Sequence, residues 1–274
     1  MGTLKINKRS SLIAAKKVID LKIEAFKNLK KSINKNFDEA VNAIVSCQSK
    51  IILCGVGKSG LIATKIAATM SSVGSPAFSL SANDCLHGDL GSITKKDVLI
   101  LISNSGKSEE IIPIIKFANR NKIKLIGIVS KKSSVLYKTS DIKILLPEVK
   151  EAGLGIVPTS STSIQLAVGD ALAIASLNKK KFSKYDFSRL HPGGNLGKQL
   201  KTVGDIMATG AKIPFINENK NMHDALKIIT EKKFGVLIAH DRKKLTTGII
   251  TDGNVRKLRQ KNKDFQNVII KNVM

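Results

Sequence analysis

The chain has 274 residues, 42% of them hydrophobic, and carries a formal net charge of +25 at pH 7. This length predicts two domains with ordinary cores, and no apolar run reaches the roughly 18 residues that a membrane-spanning helix needs. Basic residues are spread along the chain and only 4% of residues are aromatic, so we expect neither a nucleic-acid nor a membrane partner. The three cysteines lack metal-like spacing and no secretory signal is recognisable, so we expect reduced thiols in a cytoplasmic protein.

Helical spacing dominates the first part of the chain. Residues 10–47 form two amphipathic segments, which predict a helical arm that packs on the domain or on another subunit. From residue 51 onward, apolar runs alternate with helical stretches, and this alternation predicts an α/β fold with a doubly wound, five-stranded parallel sheet. The apolar runs are Ile51–Cys54, Ala77–Leu80, Val98–Ile102, Leu125–Val129 and Ile142–Leu146. In such a sheet, ligands bind beyond the carboxyl ends of the strands.

The first apolar run leads directly into the glycine-rich turn GVGKSG at 55–60. A turn of this kind opens a helix with free backbone N–H groups, which bind phosphate well. Its spacing also matches the dinucleotide fingerprint, and Asp84 lies near the position of the ribose-binding acid. Lys58 and Ser59 favour a phosphate monoester instead, and Ile52 stands where a Walker A motif needs its first glycine.

Two further hydroxyl clusters accompany this turn. SNSGKS at 103–108 follows the third run, and PTSST at 158–162 opens an apolar helix. A single cluster of this kind is more often a helix N-cap. Three clusters at strand ends or helix starts are better explained by one shared anionic ligand, and a sugar phosphate fits best. Side chains that could surround its phosphate are Ser59, Ser103, Ser105 and Ser108.

The remaining sequence contains a second glycine turn and a smaller unit. His191 begins the turn HPGG between two elements, which is a suitable place for a catalytic side chain. After residue 200 the pattern changes to a helix, two strands and another helix, and the segment 268–274 repeats the pattern of 203–207. This similarity predicts an internal repeat of about 60 residues whose second copy is incomplete.

Five motifs occur in the order and spacing of arabinose-5-phosphate isomerases. They are GVGKSG, HGDLG (His87–Gly91), SNSGKSEE (Ser103–Glu110), KEAGLGIVPTSST (Lys150–Thr162) and HPGGNLG (His191–Gly197). From about residue 40 to its end the chain therefore resembles this family, which joins a sugar isomerase (SIS) domain to a pair of CBS modules. The resemblance implies a flavodoxin-like SIS domain with N-terminal helices at 1–200 and a small α+β CBS region at 203–274. A first CBS module would span 203–262, and 263–274 would begin a second.

The resemblance also implies an activity and a set of site residues. Members of this family interconvert D-ribulose 5-phosphate and D-arabinose 5-phosphate through an enediolate, supply the synthesis of Kdo and lipopolysaccharide, and need no metal or other cofactor. By motif position, the implied catalytic residues are Lys58, Glu110, Glu151 and His191. The implied substrate-binding residues are Gly57, Ser59, His87, Ser103, Asn104, Ser105, Ser108, Thr159, Ser160 and Ser161.

Each implied catalytic residue has a chemical role in an aldose–ketose isomerisation. We expect Glu151 to be the base, with Glu110 as the alternative, and we expect partial burial to raise the pKa of that carboxyl. Lys58 would stabilise the enediolate charge, and His191 would move protons between hydroxyl oxygens near neutral pH. In related SIS enzymes a residue of this last kind comes from a neighbouring subunit, which implies a homo-oligomer, a homotetramer, with shared sites.

Several alternatives stay open at this point. His87 beside Asp89 could capture an adventitious or inhibitory zinc ion, although one His-x-Asp pair is a weak ligand set. Thr251 and Asp252 stand where CBS modules commonly hold ribose, so a nucleotide or other regulator could bind there. The whole chain could also be a non-catalytic regulator that binds a sugar phosphate, or an isomerase of a related sugar phosphate.

Overall fold

The computed structural model describes residues 8–191 and 202–274, and the chain divides into two compact units, Met1–Leu200 and Lys201–Met274. The strands of the first unit are β1 (Ile51–Gly55), β2 (Ala77–Ser81), β3 (Val98–Ser103), β4 (Lys124–Val129) and β5 (Ile142–Leu145). Its described helices are α1 (Lys8–Ser32), α2 (Lys35–Val45), α3 (Lys58–Ser72), α4 (Ala82–Cys85), α5 (Ile111–Arg120), α6 (Val135–Thr139), α7 (Ser160–Lys179) and α8 (Lys184–Leu190).

Within residues 8–191, five strands form one parallel sheet in the order β2-β1-β3-β4-β5. Each strand differs from its predicted apolar run by one residue at one end, and the predicted doubly wound sheet is confirmed. Gly55 at the end of β1 pairs with Ser81 on one side and with Ile102 of β3 on the other. The strand order reverses between β1 and β3, and in doubly wound folds this reversal marks the ligand-binding crevice.

Helices cover both faces of this sheet. Ile51 and Leu53 of β1 point into a core that contains residues of α1, α2, α3 and α7. Ile52 and Cys54 point into a second core, formed with α4, α5 and α6. Because both faces are buried, the inner strands are continuous apolar runs rather than alternating patterns, which is why the sequence predicts them well.

The N-terminal arm is only partly buried. Ala25 and Leu29, towards the end of α1, are buried in the first core. Further towards the amino terminus, Leu12, Ile19 and Ile23 expose 65%, 56% and 47% of their surface. These three positions share one face of the helix, so α1 presents an apolar stripe to its surroundings.

The second unit contains a three-stranded sheet within residues 202–274. Its strands are β6 (Phe215–Asn217), β7 (Val236–His240) and β8 (Thr246–Thr251), with β6 parallel and β8 antiparallel to β7. Its α-helices span Val203–Ile206, Met222–Lys232 and Asp252–Lys261. This α+β arrangement is as predicted, except that the sequence did not indicate β6, because a three-residue strand is too short to have a readable period.

The segment that resembles the start of a second module belongs to the core of this unit. Ile270 is completely buried there, and its N–H donates to the carbonyl of Lys220 at 2.9 Å. The N–H of Met222 in turn donates to the carbonyl of Val268 at 2.9 Å. Among the described helices of both units, none is long and apolar enough to cross a membrane.

A buried carboxylate ties β1 to β3 at the amino end of the sheet. The side chain of Asp97 is fully buried and accepts hydrogen bonds from Lys50 Nζ at 3.0 Å and from the Thr94 N–H at 2.7 Å. Burial opposes ionisation of Asp97, but hydrogen bonds from Thr94, Ser49 and Lys50 outweigh it and lower its pKa from 3.8 to about 2. At a pH between these two values, Asp97 is therefore mostly ionised in the folded protein, whereas the same carboxyl group is mostly protonated in the unfolded chain.

This shift predicts a loss of stability in acid. The contribution of Asp97 is fully present above its unfolded pKa and disappears as the pH falls through the folded value. We expect the free energy of unfolding to decrease by about 2 kcal/mol from this group between about pH 5 and about pH 2. Urea unfolding at several pH values in this range measures how steeply the free energy of unfolding falls with pH. The Asp97→Asn variant should show a shallower fall. An equally steep slope in that variant would assign the acid sensitivity to other carboxylates.

Candidate active site at the carboxyl end of the sheet

The glycine turn brings the start of α3 to the carboxyl edge of the sheet. A Cβ at Gly60 would lie 2.7 Å from the carbonyl oxygen of Gly55, so the turn is too tight for larger residues at that position. Gly57, the N-cap of α3, has a φ of 56°, which glycine adopts without strain. The positive end of the α3 dipole is thereby directed at the crevice between β1 and β3.

A cleft of about 420 Å³ opens at this point, and we call it the switch-point cleft. It is bounded by the start of α3, the turn after β3, the loop before α7 and the first turns of α7. Polar side chains in its lining belong to Lys58, Ser59, Asn104, Glu151, Ser161, Thr162 and Gln165. The structure thus brings together two of the four predicted catalytic residues with three of the predicted binding residues.

Lys58 supplies a positive charge to the switch-point cleft. It is the first residue of α3, and its side chain is exposed. Within the described ranges Lys58 has no carboxylate partner at ion-pair distance. Its ammonium group is therefore available to an anionic ligand, in a region that is also favoured by the helix dipole.

Glu151 binds the amino end of α7. Its carboxylate accepts hydrogen bonds from the N–H of Thr159 at 2.8 Å, from the N–H of Ser160 at 2.8 Å and from the hydroxyl of Thr159 at 3.0 Å. Partial burial by itself would raise the pKa of Glu151. Hydrogen bonds from Ser161, Thr159 and Ser160 have the opposite and larger effect, so the pKa of Glu151 is lower than usual. The expectation of a raised pKa is therefore wrong for Glu151, because folding places its carboxylate on the free N–H groups of a helix.

The turn after β3 is held by its own hydroxyl groups. Ser103 is buried, and its Oγ accepts from the Gly106 N–H at 3.0 Å. Ser105 Oγ accepts from the N–H of Lys107 at 3.3 Å, and Asn104 Oδ1 accepts from Ser130 Oγ at 2.8 Å. A serine oxygen that accepts a hydrogen bond still has its proton to donate. Ser103 and Ser105 therefore each keep a proton to donate, but neither they nor the half-buried Ser108 belong to the described lining of the switch-point cleft.

Glu110 and His87 lie on neighbouring loops. Glu110 immediately precedes α5 and is half-buried, and it is not part of the described lining of the switch-point cleft. His87 is exposed on the turn after α4, and its backbone N–H donates to the carbonyl of Asp84 at 2.9 Å. Across residues 8–191 and 202–274, no group of three or more His, Cys, Asp or Glu side chains could hold a metal ion. Zinc binding at His87 stays a prediction, and the described residues supply no group of three possible ligands to support it.

His191 follows the carboxyl-terminal end of α7, whereas the switch-point cleft lies at the amino-terminal end of that helix. Its ring stacks on Phe187 at 3.9 Å, and its Nδ1 is 2.8 Å from the carbonyl oxygen of the same residue. The helix that separates this region from the cleft has 20 residues, and a helix of that length extends about 30 Å. After α7, the residues next to His191 pack near Gly74, which lies between α3 and the amino end of β2. Within one chain, His191 therefore lies towards the opposite edge of the sheet from Lys58 and Glu151. The Pro192–Gly197 part of its motif lies outside the described residues.

Gln165 also lines the switch-point cleft, although no motif in the sequence pointed to it. Its side chain is completely buried and accepts a hydrogen bond from Ser59 Oγ at 3.2 Å. The available signal was a polar residue inside the otherwise apolar stretch that follows PTSST. In the second unit, the Thr251 hydroxyl donates to Asn254 Oδ1 at 2.6 Å, and its oxygen caps the following helix. The ribose contact of Thr251 stays a prediction.

A doubly wound sheet with a lysine and three hydroxyl-bearing segments at its switch point is the kind of α/β site that suits an anionic ligand such as a phosphate. The SIS domain family matches residues 44–175, and the CBS domain family matches residues 203–261. A solved Escherichia coli CFT073 protein in complex with arabinose 5-phosphate has 36% sequence identity and a TM-score of 0.66. That comparison covers 68% of this chain and 100% of the other.

Curated relatives identify the family more narrowly. Arabinose 5-phosphate isomerase KdsD of Yersinia pestis is 41% identical over 263 residues, which are 95% of this chain and 80% of that protein. The protein of the same name from Escherichia coli K12 is 39% identical, with the same coverage. The chain belongs to the arabinose 5-phosphate isomerase family, and the resemblance inferred from the five motifs is confirmed.

Proposed function

We propose that the switch-point cleft binds D-ribulose 5-phosphate and interconverts it with D-arabinose 5-phosphate. Membership of the arabinose 5-phosphate isomerase family supports this substrate pair. The observation that carries the proposal is the convergence of Lys58, Glu151 and the hydroxyls of Ser59 and Ser161 on one cleft. No described feature favours a non-catalytic regulator or a different sugar phosphate.

The chemistry is a proton transfer between adjacent carbons. A carboxylate removes a proton from C1 of the ketose, and the electron pair of that C–H bond forms the C1–C2 double bond of an enediolate. The charge that develops on the C2 oxygen is stabilised by the ammonium group of Lys58. The carboxyl group then returns the proton to C2, while a proton moves from the C1 oxygen to the C2 oxygen. The product is the aldose, and no electron leaves the substrate.

Glu151 is our choice for the base, because it lines the same cleft as Lys58. Its lowered pKa keeps the carboxylate ionised at neutral pH, so it is ready to accept a proton. A bound phosphate brings negative charge nearby, and a nearby like charge raises the pKa of a carboxyl group. Substrate binding therefore strengthens Glu151 as a base. Glu110 is the alternative, on a half-buried position at the start of α5.

We further propose that His191 reaches the cleft of a neighbouring subunit in a homo-oligomer, a tetramer as the family resemblance implies. The position of His191 supports an intersubunit role, because within one chain the residues next to it pack near Gly74, away from the cleft. The exposed apolar stripe of α1, at Leu12, Ile19 and Ile23, offers a surface for such assembly. A nucleotide at Thr251 and Asp252 stays a prediction for the second unit.

The test of the proposed function uses the purified full chain without added metal or nicotinamide. Ribulose 5-phosphate is supplied in deuterated water, and NMR follows the appearance of aldose and of deuterium at the reacting carbon. We expect both, because a base that exchanges its proton with solvent leaves deuterium in the product. If neither aldose nor exchange appears, the isomerase assignment of this chain is wrong.

A further inference from the structure

Gln165 has an unusual environment in the second turn of α7. Its side chain is completely buried, lines the switch-point cleft and accepts a 3.2 Å hydrogen bond from Ser59 Oγ at Oε1. Its Nε2, which can donate two hydrogen bonds, has no partner among the described residues and is itself buried. Buried donors are nearly always paired in folded proteins, so an unpaired one at a ligand cleft calls for a functional explanation.

The direction of the hydrogen bond between these two residues decides what Ser59 can offer to a ligand. When Ser59 donates its proton to Gln165 Oε1, the serine oxygen can only accept further hydrogen bonds. A phosphate dianion accepts hydrogen bonds and donates none, so Ser59 in this state cannot bind it. Rotation of the Gln165 amide by half a turn would place Nε2 against the Ser59 oxygen. The Ser59 proton would then be free to point at a phosphate oxygen.

We propose that Gln165 is a positioning residue that sets the direction of the Ser59 hydroxyl. Before a phosphate binds, Ser59 donates to Oε1 of Gln165; once it is bound, Nε2 donates to Ser59 while Ser59 donates to the phosphate. Only a side chain with both a donor and an acceptor at one end can support both states. This role rests on the proposed function, because it requires that Ser59 contacts the substrate phosphate.

A double-mutant cycle tests whether Gln165 acts through Ser59. The variants are Gln165→Met, which has nearly the same length without a hydrogen bond, Ser59→Ala and the combination of both. KM for ribulose 5-phosphate and the inhibition constant of inorganic phosphate are measured for each. We expect each single variant to raise both constants about tenfold with a smaller change in kcat, which is the size of one lost hydrogen bond. The combined variant should be no worse than Ser59→Ala alone.

An independent effect of Gln165→Met in the Ser59→Ala background would overturn this role, because it would indicate that Gln165 only fills space. A second variant, Gln165→Glu, adds a readout that packing cannot imitate. Its carboxylate can only accept, so it holds the Ser59 proton and repels phosphate until it is protonated. KM should therefore fall as the pH is lowered in Gln165→Glu and should lack this extra dependence in Gln165→Met. A KM profile with identical pH dependence in both variants would count against the proposal.

The outcomes separate this role from the proposed function. An inactive wild-type protein contradicts the isomerase assignment. An active one in which Ser59→Ala leaves both constants unchanged contradicts the roles of Ser59 and Gln165 but not the isomerase assignment. Thermal unfolding of each variant shows whether it is folded. If Gln165→Glu does not fold, the cycle with Gln165→Met still decides the question.

Discussion

Glu151→Gln should lower kcat for the isomerisation of ribulose 5-phosphate by about 10³-fold, as expected for the loss of a general base. The glutamine oxygen can still accept hydrogen bonds from the N–H groups of Thr159 and Ser160, so α7 keeps most of its N-terminal cap. The variant therefore separates the chemical role of the carboxylate from its structural role. The measurement is the rate of deuterium incorporation at the reacting carbon, followed by NMR, together with the melting temperature.

Glu110→Gln is the matched control for this experiment, since it removes the other candidate carboxylate without changing its size. We expect Glu110→Gln to retain exchange and Glu151→Gln to lose it. Retained exchange in Glu151→Gln, with loss in Glu110→Gln, would transfer the role of base to Glu110.

Glu151→Ala should in addition lower the stability of the protein by about 1 kcal/mol, because it removes the cap of α7 as well as the base.

Lys58→Met should reduce kcat/KM by about 10²-fold to 10³-fold, because the enediolate loses a cation placed beside its developing charge. Methionine retains the apolar stem, and the exposed position of Lys58 at the first residue of α3 makes a folding defect unexpected. The measurement is steady-state kinetics with ribulose 5-phosphate. A transition-state role predicts that kcat falls, whereas a role in substrate binding alone would raise KM and leave kcat unchanged.

Lys65→Met is a control on the same helix. Lys65 pairs with Asp170 at 2.6 Å, with both side chains partly exposed and neither in the lining of the switch-point cleft. An exposed ion pair of this kind contributes about 1 kcal/mol or less to stability, so we expect nearly normal kinetics. Equal losses in Lys65→Met and Lys58→Met would indicate a general effect of charge on this basic protein rather than a specific role of Lys58.

The parts of the cleft whose location follows from the sequence are those controlled by local backbone geometry. Gly57 and Gly60 allow a tight turn between a buried strand and a helix. Lys58 lies between these two glycines and must therefore be at the carboxyl edge of the sheet. The turn at 103–108 lies next to it, because β1 and β3 are neighbours in the sheet. The proximity of Lys58, Ser59 and Asn104 therefore follows from strand boundaries and strand order.

Other features depend on residues that come together only in the folded chain. The pKa of Glu151 is lowered by hydrogen bonds from Ser161, Thr159 and Ser160, which lie eight to ten positions further along the chain at the start of α7. Gln165 is 106 positions from Ser59, and no spacing rule links a residue inside an apolar helix to a serine on a distant turn. The separation of His191 from the cleft follows from the packing of the segment after α7 near Gly74, at the opposite edge of the sheet.

The sequence by itself therefore determined the doubly wound fold, the glycine turn and the membership of the arabinose 5-phosphate isomerase family. It could do so because continuous apolar runs, glycine positions and motif order are properties of the chain itself. The tertiary structure alone decided the direction of the pKa shift of Glu151, the hydrogen-bond partner of Ser59 and the edge of the sheet near which His191 lies. These depend on hydrogen bonds and helix directions in three dimensions, which the order of the residues does not reveal.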